Sequence, residues 1–355
     1  MIHNHRILIA ATWRTVIELS WANRVTPEAN STTQSVKECP LNTNPASTIS
    51  RPPWRSWLPL YVALALIWGS TFYLIMVGLE MFTPVGVAFG RIAFGAVTLL
   101  VVSVVGKIWL PPRWSWKHIF VVSILWVSVP AMLYAYGETR VSSALAGIIN
   151  AATPLMTLLA MLIAFPEEKP TRQRIIGLFI GFLGILIVVG VWNRSGGNDP
   201  VGMLALLGAV ACYGIGFPYA RKYLIGPSAR EPINPISLAF AMLLCGLVVT
   251  APIVAFTGVI EAEFQWAPLI AIAVLGVFGS GLASVLNFKL VAASDATTAS
   301  TVTYFTPLVA MAAGALLLNE TITWNQPFGA LFVVIGAAIA QGVITGRVGM
   351  WRRRM

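Results

Sequence analysis

One charged side chain stands in the middle of a long apolar stretch: Arg91, in the segment PVGVAFGRIAFG. If this stretch crosses a membrane, an arginine at its centre costs roughly 2.5–3.5 kcal/mol on insertion scales and should face the protein interior. A fixed positive charge in that position is suited to bind a carboxylate or another anionic group. The alternative is structural, with the guanidinium capping backbone carbonyls or tying its helix to its neighbours.

The other candidate binding residues are uncharged. Small-molecule sites combine aromatic walls with a few polar groups that fix orientation. An asparagine at membrane depth must face protein or water, because lipid offers no hydrogen-bond partner. We expect Asn150 to contact a substrate. For each aromatic candidate, the alternative is packing in the core or a place in the interfacial belt. The candidates within apolar stretches are Trp68, Tyr134, Asn150, Tyr213, Asn287 and Tyr304.

Two prolines, Pro154 and Pro307, also lie in the middle of apolar stretches. A proline inside a helix removes a backbone hydrogen bond and bends the helix. Each is therefore predicted as a hinge, with a static bend as the open alternative.

The acidic residues lie near the ends of apolar stretches. Glu138 and Arg140 lie close together in sequence at a helix end, and this spacing predicts a local ion pair between them. Glu168 and Glu320 each precede a glycine-rich stretch. Each carboxylate is therefore predicted to cap the N-terminus of the helix that follows it. The glycines of those two stretches predict small-residue faces for close helix packing, either between two parts of the chain or between two copies. They are Gly177, Gly181 and Gly184, and Gly329 and Gly336.

No catalytic constellation is present in the sequence. The histidines are His3, His5 and His118, and the sequence contains no phosphate-binding loop, HExxH motif or plausible nucleophile triad. The cysteines, Cys39, Cys212 and Cys245, have no metal-ligand or redox spacing. We therefore expect no enzyme activity, no cofactor and no metal site.

The elements that position these side chains are long apolar segments. The chain has 355 residues, is 57% hydrophobic and 10% charged, and has a mean hydropathy of +0.79. A soluble domain has about 25% charged residues, so the composition excludes soluble enzymes and, despite the net charge of +10, nucleic-acid binders. A helix crosses the hydrocarbon core with about 20 apolar residues. Ten stretches of the sequence meet that length: 57–78, 84–106, 117–136, 141–165, 174–193, 201–221, 235–258, 267–288, 295–318 and 325–346.

The distribution of basic residues predicts the orientation of these segments. With a cytoplasmic N-terminus, Arg140 and Arg194 are the only basic residues of the membrane region on the outer side. Cytoplasmic loops carry the excess of lysine and arginine, so both termini should be cytoplasmic. Residues 1–56 are predicted to be a disordered tail and residues 347–355 a basic cytoplasmic tail.

The membrane region contains an internal repeat. The segment from Pro84 to Gly95 aligns with that from Pro235 to Gly246, and the triplet Thr153-Pro154-Leu155 aligns with Thr306-Pro307-Leu308. The offsets stay between 151 and 153 residues. Since the repeated unit has five helices, an odd number, the second copy must enter the membrane from the opposite face. The prediction is an all-α polytopic membrane protein whose ten transmembrane helices form two inverted five-helix repeats, at 57–193 and 200–346.

These features resemble the EamA-like domain, which occurs in tandem in the drug/metabolite transporter superfamily. The resemblance rests on the Trp68-Gly69-Ser70 element, on the seven-residue spacing of Pro84 and Arg91, on the two Thr-Pro-Leu triplets, and on the repeated pattern of a glutamate followed by glycines. It implies alternating access by two inverted bundles around a central cavity. That cavity is implied to be lined by the first, third and fourth helices of each repeat, which carry the uncharged candidates.

The function expected from the sequence is secondary transport of a small polar metabolite, most specifically export of an amino acid or related compound. Efflux of drugs or toxic compounds is the alternative, followed by a channel. The expected partners are a small-molecule substrate and the lipid bilayer of a bacterial inner membrane, with no nucleic acid. The chain is expected to be a monomer or a homodimer.

Overall fold

The computed structural model describes residues 54–164, 172–189, 199–225, 230–293 and 301–340. Throughout these ranges the regular structure is helical, apart from one isolated bridge between Phe82 and Ile260. The predicted tails at 1–56 and 347–355 lie outside the described residues, except that the first helix already begins at Trp54.

The first half of the described chain contains seven α-helices. A π-helical turn, Ile124–Ser128, joins the third to the fourth, so the two form one continuous rod. Their bounds are α1 Trp54–Gly78, α2 Pro84–Val105, α3 Trp116–Ser123, α4 Val129–Glu138, α5 Ser143–Asn150, α6 Thr153–Ala164 and α7 Arg172–Val189.

The second half contains six. Here Leu275–Leu282 is the π-helical segment that joins two α-helices, and a short 3₁₀ turn, Thr301–Tyr304, precedes the fifth of the six. Their bounds are α8 Pro200–Ala220, α9 Pro235–Thr257, α10 Trp266–Val274, α11 Ala283–Ala293, α12 Thr306–Leu317 and α13 Asn325–Ala340.

Six helical rods of the described chain are long and apolar enough to cross a membrane, and four shorter apolar helices accompany them. Their outward faces carry large apolar side chains, such as Phe179 and Phe182 on α7, that are more than half exposed. Such a surface suits lipid, where helices satisfy their own backbone groups. The chain is an all-α polytopic membrane protein, and the count of ten transmembrane helices stays a prediction.

The fourth predicted segment, 141–165, is not one continuous helix. It breaks after Asn150, and α6 begins at Thr153. At the break Ala151 and Ala152 donate backbone hydrogen bonds to carbonyls three residues back, and the Thr153 hydroxyl donates to the Asn150 carbonyl at 2.7 Å. These short bonds satisfy the groups that a helix end leaves open.

The ninth predicted segment, 295–318, is interrupted at the corresponding place. α12 begins at Thr306, whose hydroxyl donates to the Thr303 carbonyl at 2.8 Å. Pro154 and Pro307 thus occupy the second position of a new helix, where the missing N–H has no intrahelical role. The prediction that both prolines lie in the middle of a helix was wrong. Their role as hinges stays a prediction.

Corresponding helices of the two halves pack against each other in opposite directions. Gly184 of α7 meets Gly329 of α13, while Gly181 meets Gly336, so the sequence numbers run in opposite senses. α5 and α12 pair in the same way, with Gly147 beside Ala310. Antiparallel pairing of equivalent helices is what an inverted duplication produces.

The α7–α13 contact leaves no room for a side chain at Gly184, because an ideal Cβ there would lie 2.6 Å from the Val333 backbone nitrogen. We expect Gly184→Ala to lower the free energy of unfolding by about 1–3 kcal/mol, since the two backbones must separate. The matched control is Gly208→Ala in α8, where the added Cβ would meet only Leu133 Cδ1 at 3.4 Å.

At Gly208 the gain in helix propensity should raise stability by up to about 1 kcal/mol. Unfolding of both variants in detergent checks the difference. Equal effects of the two substitutions would contradict the close packing of α7 on α13.

Candidate functional site

The halves enclose a cavity of about 150 Å³ near the middle of the bundle. Helices of both halves line it, including α1, α2, α8 and α9 and the rods that contain the π-helical segments Ile124–Ser128 and Leu275–Leu282. The lining residues are Trp68, Thr71, Phe72, Ile75, Arg91, Ile92, Trp126, Val127, Ala131, Tyr134, Asn150, Thr153, Tyr213, Phe217, Ala239, Met242, Leu243, Gly279, Ser280, Ser284, Asn287 and Thr303.

Six of the seven predicted binding residues line this cavity: Trp68, Arg91, Tyr134, Asn150, Tyr213 and Asn287. The side chain of the seventh, Tyr304, lies outside the described residues. The structure therefore brings the six together from six predicted segments, while their contact with a substrate stays a prediction.

Arg91 is the only charged side chain among the described residues that line the cavity. Its Nε donates a hydrogen bond to Ser280 Oγ at 3.2 Å, from α2 to the π-helical segment of the other half. This bond also ties α2 to its neighbour, as the structural alternative requires. Because a guanidinium carries five N–H donors, the bond to Ser280 leaves donors for an anionic ligand.

Asn150 stands at the broken end of α5. Its Oδ1 accepts a hydrogen bond from the Tyr134 hydroxyl at 2.7 Å, and its Nδ2 reaches Thr306 Oγ1 at 3.5 Å. The helix break is what allows this contact, since it places the amide of one half against the first residue of α12 in the other. The amide thus has partners in both halves of the bundle.

The walls of the cavity are aromatic. The rings of Tyr134 and Tyr213 stack with their centroids 6.1 Å apart, and Phe72 meets Tyr134 edge-on at 5.6 Å. On the opposite flank Trp126 packs against Phe217 at 4.4 Å. The site therefore combines apolar faces with one charge and a small set of amide and hydroxyl groups, a composition typical of small-molecule sites.

Several lining residues were missed by sequence reasoning. Thr303 occupies in the second repeat the position of Asn150 in the first, so the repeat itself could have identified it. Trp126 and Ser280 lie in the π-helical segments Ile124–Ser128 and Leu275–Leu282, which occupy equivalent places in the repeats. π-helical turns are frequent at functional sites, but nothing in the sequence marks them.

The predicted ion pair between Glu138 and Arg140 is wrong. Arg140 Nη1 instead binds Asp199 Oδ2 at 2.5 Å, across to the start of α8. The side chain of Glu138 turns inward and is 2% exposed. The pairing was missed because Asp199 follows Arg140 by 59 residues in the chain.

The predicted cap of Glu320 on its own following helix, α13, is also wrong. Its carboxylate accepts hydrogen bonds from the backbone nitrogens of Ser143 at 2.8 Å and Ala144 at 3.0 Å. It therefore caps α5 of the other half, where the positive end of the helix dipole favours a negative charge. Glu168, its counterpart in the first repeat, lies outside the described residues.

The chain matches a family model, several relatives and a solved structure along most of its length. The model of the EamA-like transporter family matches residues 55–190 and 200–341. Protein PagO of Salmonella typhimurium is 28% identical over 78% of this chain and 90% of its own length. The inner membrane transporter YedA of Escherichia coli is 26% identical over 81% of this chain and 91% of its own. A protein of known crystal structure, with 15% identity and a TM-score of 0.59, has the same fold over 83% of this chain and all of its own.

The contact between Tyr134 and Asn150 can be measured as a coupling energy. Asn150→Ala leaves the buried Tyr134 hydroxyl without its acceptor, which should cost about 1–3 kcal/mol of unfolding free energy. In the double variant Tyr134→Phe/Asn150→Ala both partners are gone, so most of that loss should be recovered. Unfolding of the wild type, the two single variants and the double variant gives the value, and strictly additive losses would exclude the bond.

The pair of Arg140 and Asp199 predicts a pH dependence of stability. The hydrogen bond from Arg140, and then that from the Val201 backbone, lowers the pKa of Asp199 below its ordinary value of 3.8. Because the folded state has the lower pKa, the stabilisation is present at neutral pH and is lost as the pH falls through that lowered value.

Both side chains are about one third exposed, so the effect should be small and weakened by salt. Asp199→Asn keeps a side chain that can cap α8 and removes only the charge. The melting temperatures of the two proteins should differ at neutral pH and converge in acid. A difference that stays constant over the titration would exclude the ion pair as its source.

Proposed function

The chain belongs to the EamA-like transporter family, and from that premise we propose that it is a secondary carrier exporting a small amino acid or a related polar metabolite by alternating access. The observation that carries this proposal is the single guanidinium of Arg91 in an aromatic cavity between two inverted halves. A carboxylate of the substrate would bind there, and Asn150 would orient a second polar group.

The volume of the cavity supports a small substrate. An engineered cavity of about 150 Å³ in another protein holds benzene, and this one has a similar volume. A cavity of that volume suits a small amino acid better than a polyaromatic drug. The positive charge of Arg91 also disfavours cationic drugs, which are the substrates of the alternative proposal.

Alternating access requires that contacts between the halves open and close. At one end of the bundle the loop before α2 is hydrogen-bonded to the loop after α9. The backbone nitrogen of Thr83 donates to the Val259 carbonyl at 3.0 Å, and the hydroxyl of Thr83 donates to the Gly258 carbonyl at 3.0 Å. Glu320 joins α5 to the loop after α12 at the same end. We propose that this is the outer end of a carrier in the bacterial inner membrane, with both termini in the cytoplasm.

The proposal is tested by counterflow in liposomes containing the purified chain, without ATP, using a panel of radiolabelled amino acids. A carrier should exchange at least one of them with saturation. Flux that follows the membrane potential and never saturates would indicate a channel. Saturable transport of aromatic cations alone would indicate drug efflux.

Arg91→Met tests the role of the charge, because the second repeat has Met242 at the equivalent position and that side chain also lines the cavity. A hydrogen bond to a charged group contributes about 1.5–3 kcal/mol, so Arg91→Met should lower transport of the amino acid at least about tenfold. Leu66→Ala on the outer surface of α1 is the control, since its side chain is more than half exposed. Full transport by a well-folded Arg91→Met variant would leave Arg91 with its structural role alone.

A further inference from the structure

One buried acidic residue has no part in the cavity described above. Glu138 is the last residue of α4, and neither of its carboxylate oxygens has a hydrogen-bond partner in the described structure. A buried charge without a partner is expensive, and a group in that position neutralises instead. Arg140, the nearest basic residue in sequence, is bound to Asp199 and does not compensate a charge on Glu138.

The groups around Glu138 come from several elements. α4 packs against α8, α2, α1 and α5. The charged groups near Glu138 are the carboxylate of Glu320, from the loop after α12, and the guanidinium of Arg91, from α2. Tyr134 lies one turn earlier on the same helix, and the ring of Tyr213 from α8 stacks on that of Tyr134. The described side chains of α1 and α5 add no charge.

Glu320 is held in place by contacts across the two halves. Its carboxylate caps α5 and fits beside Gly314, where any Cβ would collide with Glu320 Oε2. The Ser143 hydroxyl, buried and without a partner, lies at the same point, 3.1 Å from that Cβ position. The contact between Glu320 and the start of α5, called here the latch, joins the two halves at this end of the bundle and places a negative charge near Glu138.

We propose that Glu138 is a proton-binding site of the carrier, neutral while the latch is closed and ionised when it opens. On opening, water reaches the carboxyl group, the O–H bond breaks, and the proton passes to water at that end as hydronium. The departure of Glu320 also removes the repulsion that opposes ionisation. Release of one proton is thereby linked to opening of one end of the cavity, so the proton is the coupling ion.

A proton fits this site better than a metal ion. Metal cations such as Ca²⁺ take six to eight oxygen ligands, and the described residues contain no group of three or more side chains able to hold a metal. Both oxygens of Glu320 already accept backbone hydrogen bonds. One free carboxyl group remains, and a proton is the ligand that one carboxyl group can bind. Tyr134, one turn earlier on α4, lines the cavity, so Glu138 lies between the cavity and the latch.

Infrared spectroscopy of the reconstituted full-length chain, without substrate, measures this proton directly. The wild type should have a protonated-carboxyl band at neutral pH that disappears on titration to alkaline pH. Glu138→Gln, which has the shape of the neutral acid, should lose the band. Glu320→Gln should keep it but lower its midpoint, because a neighbouring negative charge is gone.

Glu263→Gln is the matched control, since that side chain is exposed in a loop at the same end. It should leave the band and its midpoint unchanged. A band of equal intensity in Glu138→Gln, or no protonated carboxyl in the wild type at neutral pH, would overturn the proposal.

The coupling role rests on the proposed function and has its own readout. With the amino acid that gives the largest counterflow, efflux by the wild type should depend on a pH gradient, and Glu138→Gln should lose that dependence. Wild-type efflux that is insensitive to the gradient would overturn the coupling. If no amino acid in the panel is transported, the proposed function fails, while the infrared band still decides the proton site.

Discussion

The absence of water in the hydrocarbon core constrains every part of this structure. Each backbone N–H and C=O at that depth must find a partner within the protein, which is why nearly all of the described chain is helical. The two breaks in the bundle obey the same rule. At each, a threonine hydroxyl bonds the carbonyl three residues back, after Asn150 in one half and after Thr303 in the other. Irregular backbone is tolerated at membrane depth where it lines a cavity, and both of these residues line this one.

The inverted pairing of the halves makes those breaks possible. α5 is only eight residues long, and its N-terminal residues, beginning at Ser143, are buried at the proposed outer end of the bundle. It is stable there because Glu320 of the opposite half caps it and α12 packs along it. The glycine contact between α7 and α13 holds the halves together away from the cavity. A carrier can therefore change the contacts around the cavity while the glycine interface stays closed.

Much of this could be predicted from the sequence, for identifiable reasons. The start of α2 at Pro84 and that of α9 at Pro235 were predicted to the residue, because a proline in the first turn marks a helix start. Apolar length located the rods, and polar residues within them converge on one cavity. The breaks were missed because hydropathy is continuous through Ala151 and Ala152. The partners of Glu320 and Arg140 were missed because they lie 177 and 59 residues away, a distance at which no local pattern connects two side chains.

The differences between the repeats carry more information about the ligand than their similarity does. Duplication supplies pairs of equivalent positions in the cavity, and a symmetric cavity would present each group twice. One pair is Arg91 and Met242, and another is Asn150 and Thr303. In both pairs the first half holds the stronger polar group, so the charge and the amide are on the same side. A ligand bound across the two halves would place its anionic, hydrogen-bonding end toward the first half and its apolar part toward the second. In the proposed carrier the shared backbone would provide the movement, while the unequal side chains would set the direction in which a substrate binds.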